Sequence, residues 1–291
     1  MNQNEPTAEQ IVFALKNDLH SGATELSRDA LDNLARYANT LRALSLNECK
    51  VIMSSMSEQL KHVRPSMATL QFILSEFQTG LNKLQANNTE RFIILVQALC
   101  AHLINDIFIR RDNLVSHAIK SLATAKTIMT ISRSSTLCEV FKKLKQRPLG
   151  FIVCESRPGC EGKVLATELA SADIHIEYII DAAISNHIKQ VDAVVVGADT
   201  ILADGGVVNK CGTCLLALAA HYWGVPFYVI ADTSKCAGFT RDDLILEEMP
   251  TTELAAPKSP WICPRNIYFD VTDAALIGNY ITEQGMQKAW P

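Results

Sequence analysis

The sequence predicts an α/β protein in which a helical N-terminal domain precedes a domain built on a parallel sheet. Apolar residues recur at helical spacing from residue 7 to about residue 125. From residue 126 the pattern changes to short apolar runs, rich in β-branched residues, with helical patterns between them. Strands that alternate with helices form right-handed crossovers, which place the strands parallel in one sheet. We therefore expect domains at 1–125 and 126–291.

Short polar breaks divide the N-terminal half into separate helices. Ser, Asn, Gly and Pro dominate these breaks, and such residues are typical of helix caps and interhelical turns. Between the breaks, apolar residues such as Met67, Leu70 and Leu74 recur on one helical face, which predicts a shared core. The breaks lie at residues 20–22, 44–47, 63–65 and 86–88.

Strands and helices alternate in the C-terminal half. The predicted strands lie at 126–132, 150–156, 175–181, 191–199 and 226–232. The predicted helices lie at 135–145, 162–171, 182–191 and 213–223. The first four strands end in small or polar residues, and ligands bind such sheets at the carboxyl ends of the strands. A further strand and a helix within residues 256–285 are expected to close the sheet edge.

Composition excludes several classes of function. The net charge of −4 comes from 27 basic and 31 acidic residues, so a nucleic-acid surface is not expected. No apolar run approaches the roughly 20 residues that cross a bilayer, and the first ten residues lack a secretory signal. Nine cysteines, an odd number, favour reduced thiols. We expect a cytoplasmic protein without a membrane or nucleic-acid partner.

Neither a metal nor a cofactor is expected. Cys211 and Cys214 form the single CxxC pair, without a second pair or an HExxH pattern. The GxGxxG and GxxxxGK[ST] motifs of dinucleotide and P-loop sites are also missing. The two cysteines are therefore interpreted as small buried side chains.

The stretch from Gly197 to Thr213 combines acidic residues, glycines and an Asn-Lys pair where a strand ends and a helix begins. A lysine such as Lys210 near a helix N-terminus suits an anion, because the free N–H groups also attract negative charge. An aspartate such as Asp199 can instead cap its own loop. The residues alone leave both a ligand loop and a simple turn open.

Four segments resemble, in order and spacing, the signatures of one superfamily. It contains the alpha, beta and delta subunits of eukaryotic translation initiation factor 2B, their archaeal homologues, and isomerases of ribose 1,5-bisphosphate and methylthioribose 1-phosphate. The resemblance implies a Rossmann-like second domain, assembly as a homodimer or with paralogous subunits, and a phosphorylated sugar or nucleotide bound between the domains. The segments are 155–163, 194–213, 225–232 and 269–285.

The resemblance also implies the catalytic positions. The isomerases transfer protons with a cysteine and an aspartate; Asp199 matches the aspartate, but Ser132 stands at the cysteine position. A thiol pKa near 8.5 can be tuned toward neutrality, whereas a hydroxyl cannot serve so readily. The helical domain has Ser21 in place of the arginine of an Arg-Gly-Ala turn. Both departures predict degraded chemistry.

The remaining candidates are ligand-binding residues. Arg157 either binds a phosphate or pairs with Glu155 or Asp181, and Arg133 replaces the cation missing at Ser21. The full set is Gly22, Ala23, Arg64, Arg133, Ser134, Arg157, Asn209 and Lys210.

Two functions from different classes follow from this interpretation of the sequence. One is a regulatory or assembly protein that binds a sugar phosphate or nucleotide. The alternative is an active aldose–ketose isomerase on a pentose phosphate, with Asp199 as acid/base and Ser132 or a polarised water as its partner.

Overall fold

The computed structural model describes residues 5–18, 21–64, 67–145, 149–244, 246 and 248–290. The chain forms two compact units, Met1–Arg110 and Arg111–Pro291. The predicted boundary between residues 125 and 126 stays a prediction. His20 and Pro65, which were expected in turns, lie outside the described residues.

Helices form the first unit, and their ends fall at the predicted polar breaks. Side chains cap two of them: the Thr7 and Ser45 hydroxyls each accept an N–H group of the first turn. Leu34, Phe77 and Phe92 are fully buried in the core between the helices. The helices are α1 (Ala8–Asn17), α2 (Ala23–Thr40), α3 (Leu46–Lys61), α4 (Ala68–Lys83) and α5 (Thr89–Ser121).

Helix α5 continues from the first unit into the second. Its most apolar window has a mean hydropathy of 2.0, so by length and composition this helix could cross a membrane. The sequence was expected to contain no segment of that kind. Its buried side chains belong to protein cores, however: Val96 and Cys100 to the first unit, and Leu114 and Val115 to the second. One face of α5 thus packs on the two cores, as in an amphipathic helix.

The second unit contains the five strands predicted between residues 126 and 232 and a helix at each of the four predicted positions between them. The predicted helix at 182–191 is a single short α-helix between two 3₁₀ turns. The helices are α6 (Ser135–Leu144), α7 (Glu161–Ala170), α8 (Ile184–His187) and α9 (Thr213–Trp223). The strands are β1 (Thr127–Thr130), β2 (Gly150–Cys154), β3 (Ile176–Ile179), β4 (Ala193–Val196), β5 (Thr200–Ile201), β6 (Val207–Lys210), β7 (Phe227–Ile230), β8 (Phe269–Thr272), β9 (Asn279–Thr282) and β10 (Gly285–Gln287).

Seven strands form the main sheet, in the order β10-β9-β7-β4-β1-β2-β3. Neighbouring strands are parallel except for the edge pair β9 and β10. The chain runs outward from β1 through β2 to β3, and then returns to β4 on the other side of β1. This order is that of a Rossmann-type sheet, with its switch point between β1 and β4. The predicted α/β fold, with a Rossmann-like second domain, is confirmed.

Both faces of the central strands are buried, as expected for parallel strands. Met129 and Val194 point into one core, together with side chains of α8 and α9. Their neighbours Ile128 and Val195 point into the other, with the end of α5, α6 and α7. The carboxyl ends of the strands are therefore held rigidly between two layers of helix.

Two local predictions differ from the structure. The stretch expected to be a loop before α9 contains the hairpin β5–β6, which pairs with β8 in a small antiparallel sheet. The expected C-terminal helix is a 3₁₀ turn at Ala274–Leu276 followed by strand β9. Tyr280 and Ile281 of β9 are buried beside β7, so pairing and burial outweigh the helical pattern.

Candidate functional site

The switch point brings two candidate segments together. Residues 132–134 follow β1 and residues 197–199 follow β4, and these strands are adjacent. Gly197 lies against Ser134: a Cβ added to this glycine would be 3.4 Å from the Cβ of Ser134. The carboxyl edge between β1 and β4 is where such sheets bind ligands. Ser132, Ser134 and Asp199 therefore lie at the candidate site.

Ser132 is held in a left-handed backbone conformation, with φ of 69°. Its N–H donates to the hydroxyl oxygen of Ser156 at 2.6 Å. Ser156 follows β2, has φ of 67°, and donates its own hydroxyl to the Cys154 carbonyl at 3.0 Å. Non-glycine residues adopt such conformations only where their surroundings impose them. The loops after β1 and β2 thus form one connected structure.

Asp181 pairs with backbone groups rather than with the guanidinium of Arg157. Its carboxylate accepts the N–H of Ser156 and the N–H of Arg157, each at 2.8 Å. The Arg157 side chain is exposed, and among the residues that the structure describes it forms no ion pair. Arg157 was expected either to bind a phosphate or to pair with Glu155 or Asp181. Since its guanidinium pairs with neither carboxylate, its charge is available to an anion.

Arg133 is paired within the fold. Its Nε and Nη2 atoms both lie 3.0 Å from Oε1 of Glu168 on α7. Burial opposes ionisation of Glu168, but hydrogen bonds from Arg133 and Cys138 and the arginine charge outweigh it and lower the pKa of this carboxyl. A ligand at Arg133 would have to share the guanidinium with Glu168.

Asn209 and Lys210 end strand β6, and both are buried. The Lys210 ammonium donates to Oε1 of Glu161 at 2.6 Å and lies 3.8 Å from the ring centre of Tyr268. Asn209 donates to the hydroxyl of Thr213 at 3.0 Å. The lysine charge is therefore present beside α9, but an acidic partner already balances it.

Asp270 occupies the N-terminus of α9, where an anion was expected. Its carboxylate accepts the N–H of Gly212 at 2.7 Å and the N–H of Cys214 at 3.2 Å. Burial raises the pKa of Asp270, although these two hydrogen bonds act in the opposite direction. No sequence pattern predicts this role for Asp270, because it comes from β8, far along the chain, and no local pattern links it to α9.

Asp199 is half-buried and begins the hairpin, with its N–H donating to the carbonyl of Val208 at 2.9 Å. The Lys235 ammonium donates to the carbonyl of Ala198, the residue before Asp199. Lys235 thus brings a positive charge to the end of β4. It lies in a short 3₁₀ turn after β7, and the only signal for it in the sequence was its place after a predicted strand.

Three candidates lie together in the first unit. Gly22 is the N-cap of α2, and its N–H donates to the carboxylate of Glu25 at 3.2 Å. Ala23 is the first residue of α2 and is buried. Arg64 donates from Nη2 to the carbonyl of Asp18 at 2.9 Å, while the Asp18 carboxylate accepts the N–H of Ser21 at 2.9 Å.

Arg64 is 8% exposed, and its buried Nε has no hydrogen-bond partner among the described residues. A buried guanidinium donor normally has an acceptor. The arginine therefore has a donor to spare beside the turn that leads into α2.

The thiols of the CxxC pair are free and half-buried. Burial raises the pKa of both Cys211 and Cys214. Within the described ranges, no group of three or more His, Cys, Asp or Glu side chains is arranged to hold a metal ion.

Comparison with known proteins identifies the family. The sequence model of the Initiation factor 2 subunit family matches residues 19–289. The chain belongs to this family. It is 31% identical over 280 residues to a putative translation initiation factor eIF-2B subunit 2-like protein of Pyrococcus abyssi, and the match covers 95% of each chain.

Members of both functional classes are similar to this chain. It is 33% identical to the ribose 1,5-bisphosphate isomerase of Methanocaldococcus jannaschii, over 95% of this chain and 91% of the isomerase. The crystal structure of 5-methylthioribose 1-phosphate isomerase from Pyrococcus horikoshii superposes with a TM-score of 0.83 at 25% identity, covering 98% of this chain and 85% of that one. The family relationship alone therefore leaves factor-like and isomerase functions open.

Proposed function

We propose that this protein is a non-catalytic member of the family, which binds a phosphorylated sugar or nucleotide at the carboxyl edge between β1 and β4 and acts in regulation or assembly. The observation that carries the proposal is Ser132. It follows β1 at the switch point, where the resemblance places the cysteine of the isomerases. Arg157, Asn209 and Lys210 are proposed to contact the ligand, with Ser134 and Arg133 beside them.

The hydroxyl of Ser132 is a poor substitute for a thiol. Moving a proton between neighbouring carbons needs groups whose pKa values lie near neutrality, and an aliphatic hydroxyl lies far above that range. The cysteines closest in sequence offer no rescue. Cys154 is fully buried, and burial raises the pKa of its thiol to about 12. Cys138 is 5% exposed, and burial likewise raises its pKa.

The second candidate is an active isomerase on a pentose phosphate. The similarity to the Methanocaldococcus jannaschii enzyme over nearly the whole chain supports it. In this case Asp199 acts as acid/base, and Ser132 or a polarised water acts as its partner. Lys235 donates to the carbonyl of Ala198, the residue before Asp199. Its ammonium group would then stabilise the negative charge that develops on the substrate oxygen.

The same proposal places the protein in the cytoplasm, where reduced thiols persist. Its partners are the phosphorylated small molecule and either a second copy or paralogous subunits, rather than nucleic acid or membrane. Neither a metal nor a cofactor is required for this function. Gly22, Ala23 and Arg64 are proposed to bind a phosphate in the first unit.

Thermal unfolding with ribose 1,5-bisphosphate, methylthioribose 1-phosphate and nucleoside monophosphates tests the first proposal. A ligand at 100 times its Kd stabilises the folded state by about 2.7 kcal/mol, so a rise of several degrees in Tm is expected. The stabilising compound is then followed by NMR in deuterated water. Stabilisation without isomerisation is the expected result, and turnover by the wild-type protein would contradict it.

Two variants sharpen the comparison. Ser132→Cys restores the thiol and is expected to gain turnover, whereas Ser132→Ala, which is matched in size, is expected to bind without turnover. If wild type and Ser132→Cys isomerise at the same rate, the serine has not silenced the chemistry and the second candidate is right. If no compound stabilises the protein, ligand binding is wrong and assembly alone remains.

A further inference from the structure

Asp181 links the ends of three neighbouring strands. It follows β3, and its two carboxylate oxygens accept the N–H groups of Ser156 and Arg157, which follow β2. The hydroxyl oxygen of Ser156 accepts the N–H of Ser132, which follows β1. A continuous series of hydrogen bonds therefore runs from Asp181, at the edge strand, to the residue at the proposed site.

This series holds two residues in conformations that they would otherwise leave. Ser132 and Ser156 both have positive φ, at 69° and 67°. For a residue with a side chain this conformation costs energy, and it persists only when neighbouring contacts impose it. For Ser156 those contacts are the Asp181 carboxylate on its N–H and the Cys154 carbonyl on its hydroxyl. For Ser132 the contact is Ser156 itself.

We propose that Asp181 is a positioning residue of the site, which sets the backbone of Ser132 through Ser156. The inference rests on the proposed function, because it assigns to Asp181 the orientation of residues that meet the ligand. Asp181 orients Arg157 directly by its N–H bond and Ser132 indirectly. Without the carboxylate, Ser156 loses one of the bonds that hold its positive φ, and the hydroxyl that accepts the Ser132 N–H is no longer held in place.

The chain offers a closely matched control at the opposite end of the sheet. The carboxylate of Asp192 accepts the N–H groups of Lys126 and Thr127, at 2.8 and 2.9 Å, where β1 begins. Asp192→Asn therefore removes the same negative charge from beside two backbone N–H groups as Asp181→Asn, although a single oxygen of Asp192 accepts both bonds. It does so at the amino end of the strands, away from the proposed site. Any difference between the two variants reports position rather than general loss of structure.

The first measurement is the backbone amide of Ser132 in the full-length, unliganded protein. A bond of 2.6 Å predicts a downfield amide resonance and slow hydrogen exchange. We expect Asp181→Asn to move this resonance upfield and to speed its exchange about tenfold or more, while Asp192→Asn leaves both unchanged. Ser156→Ala, which removes the acceptor, supplies the reference for complete loss. An unchanged Ser132 amide in Asp181→Asn would overturn the inference.

The second measurement is the Kd for ribose 1,5-bisphosphate as the probe. We expect Asp181→Asn to raise the Kd about tenfold, whereas the Kd of Asp192→Asn stays within about twofold of wild type. The Tm of the two variants is expected to fall by similar amounts. Equal loss of affinity in both variants would show a merely structural role and overturn the inference. If Asp181→Asn does not fold, Asp181→Ser, which keeps one acceptor oxygen, is measured instead.

The two proposals fail in different ways. If the wild-type protein does not bind the probe, the proposed function is wrong for this ligand, and the exchange of the Ser132 amide alone decides whether Asp181 sets that backbone. If the probe binds and the amide responds only to Ser156→Ala, the function stands and the role of Asp181 falls.

Discussion

Two cations of the proposed site are each balanced by an acidic side chain of α7. Lys210 pairs with Glu161, and Arg133 pairs with Glu168. An incoming phosphate has to compete with these carboxylates for the cations, because like charges at close range raise the free energy of the complex. The acids therefore set how strongly the site attracts an anion, and the two pairs can be tested separately.

Glu161→Gln is expected to tighten phosphate binding. The amide keeps an oxygen for the Lys210 ammonium, but the negative charge that opposes an anion is removed. The Kd for ribose 1,5-bisphosphate should fall about threefold to tenfold at low salt, with a smaller effect at high salt. The folded state should lose about 1–3 kcal/mol, because the buried Lys210 is left without a full countercharge. Calorimetric titration and urea unfolding measure the two effects.

Glu168→Gln is the matched variant, since it frees Arg133 in the same way. If only Glu161→Gln tightens binding, Lys210 faces the ligand. The reverse result would assign that role to Arg133 and exclude Lys210, and weaker binding in both would mean that these acids support the site rather than oppose the anion.

At the scale of the element, Gly162 fixes the approach of α7 to the end of β2. A Cβ at this position would lie 1.8 Å from the carbonyl oxygen of Cys154. A backbone atom cannot give way as a flexible side chain can, so any side chain here pushes the helix off the strand. The first turn of α7 carries Glu161, and its last turns carry Glu168, so the placement of both acids depends on this contact.

Gly162→Ala is expected to destabilise the protein by about 3 kcal/mol, within the range of overpacked cores. It should also tighten ligand binding, as Glu161→Gln does, because Glu161 moves away from Lys210. Gly150→Ala serves as the control, since its added Cβ would meet only ordinary contacts of 3.8 Å and beyond. Equal stability of the two variants in urea unfolding would show that α7 shifts without cost.

Elements with local signals were predictable, whereas those made by distant pairing were not. Helical and strand periods located α6, α7 and α9 and the parallel strands β1 to β4 and β7, because burial on a helix face or on both sheet faces shapes the sequence directly. The sequence pattern predicts a loop where the hairpin β5–β6 lies. The strand that pairs with β6, β8, begins at Phe269, far along the chain from Lys210. Only the folded structure brings these two strands together.

The site was predictable to the same extent. Strand ends placed Ser132 and Asp199 at one sheet edge, because adjacent parallel strands end together. The partners of the charged residues were not predictable: Glu161 for Lys210, Glu168 for Arg133 and Asp270 for the α9 N-terminus all come from other elements. A single sequence shows which side chains carry charge, but long-range packing decides which charges are already satisfied.

At the scale of the whole molecule, the division of the chain falls inside helix α5. The compact units meet at Arg110 and Arg111, but α5 runs on to Ser121. Its last turns, with the residue that follows, supply Leu114, Val115 and Leu122 to the core of the second unit, each at most 2% exposed. The sequence pattern assigned these residues to the helical domain, because a helical period says nothing about which core a helix face enters.

The two possible boundaries predict different behaviour of fragments. A fragment of residues 111–291 keeps these core side chains and is expected to unfold cooperatively in urea. A fragment of residues 126–291 lacks them; since each lost large aliphatic side chain costs about 2–5 kcal/mol, the sum approaches the whole stability of a typical domain. We therefore expect the shorter fragment to show no cooperative transition by circular dichroism. In the full chain, Leu114→Ala should lower the free energy of unfolding, because Leu114 is buried. Asp112→Ala, at an exposed position two residues earlier, should leave it nearly unchanged. A shorter fragment as stable as the longer one would place the boundary at 125 and make the end of α5 dispensable for the sheet.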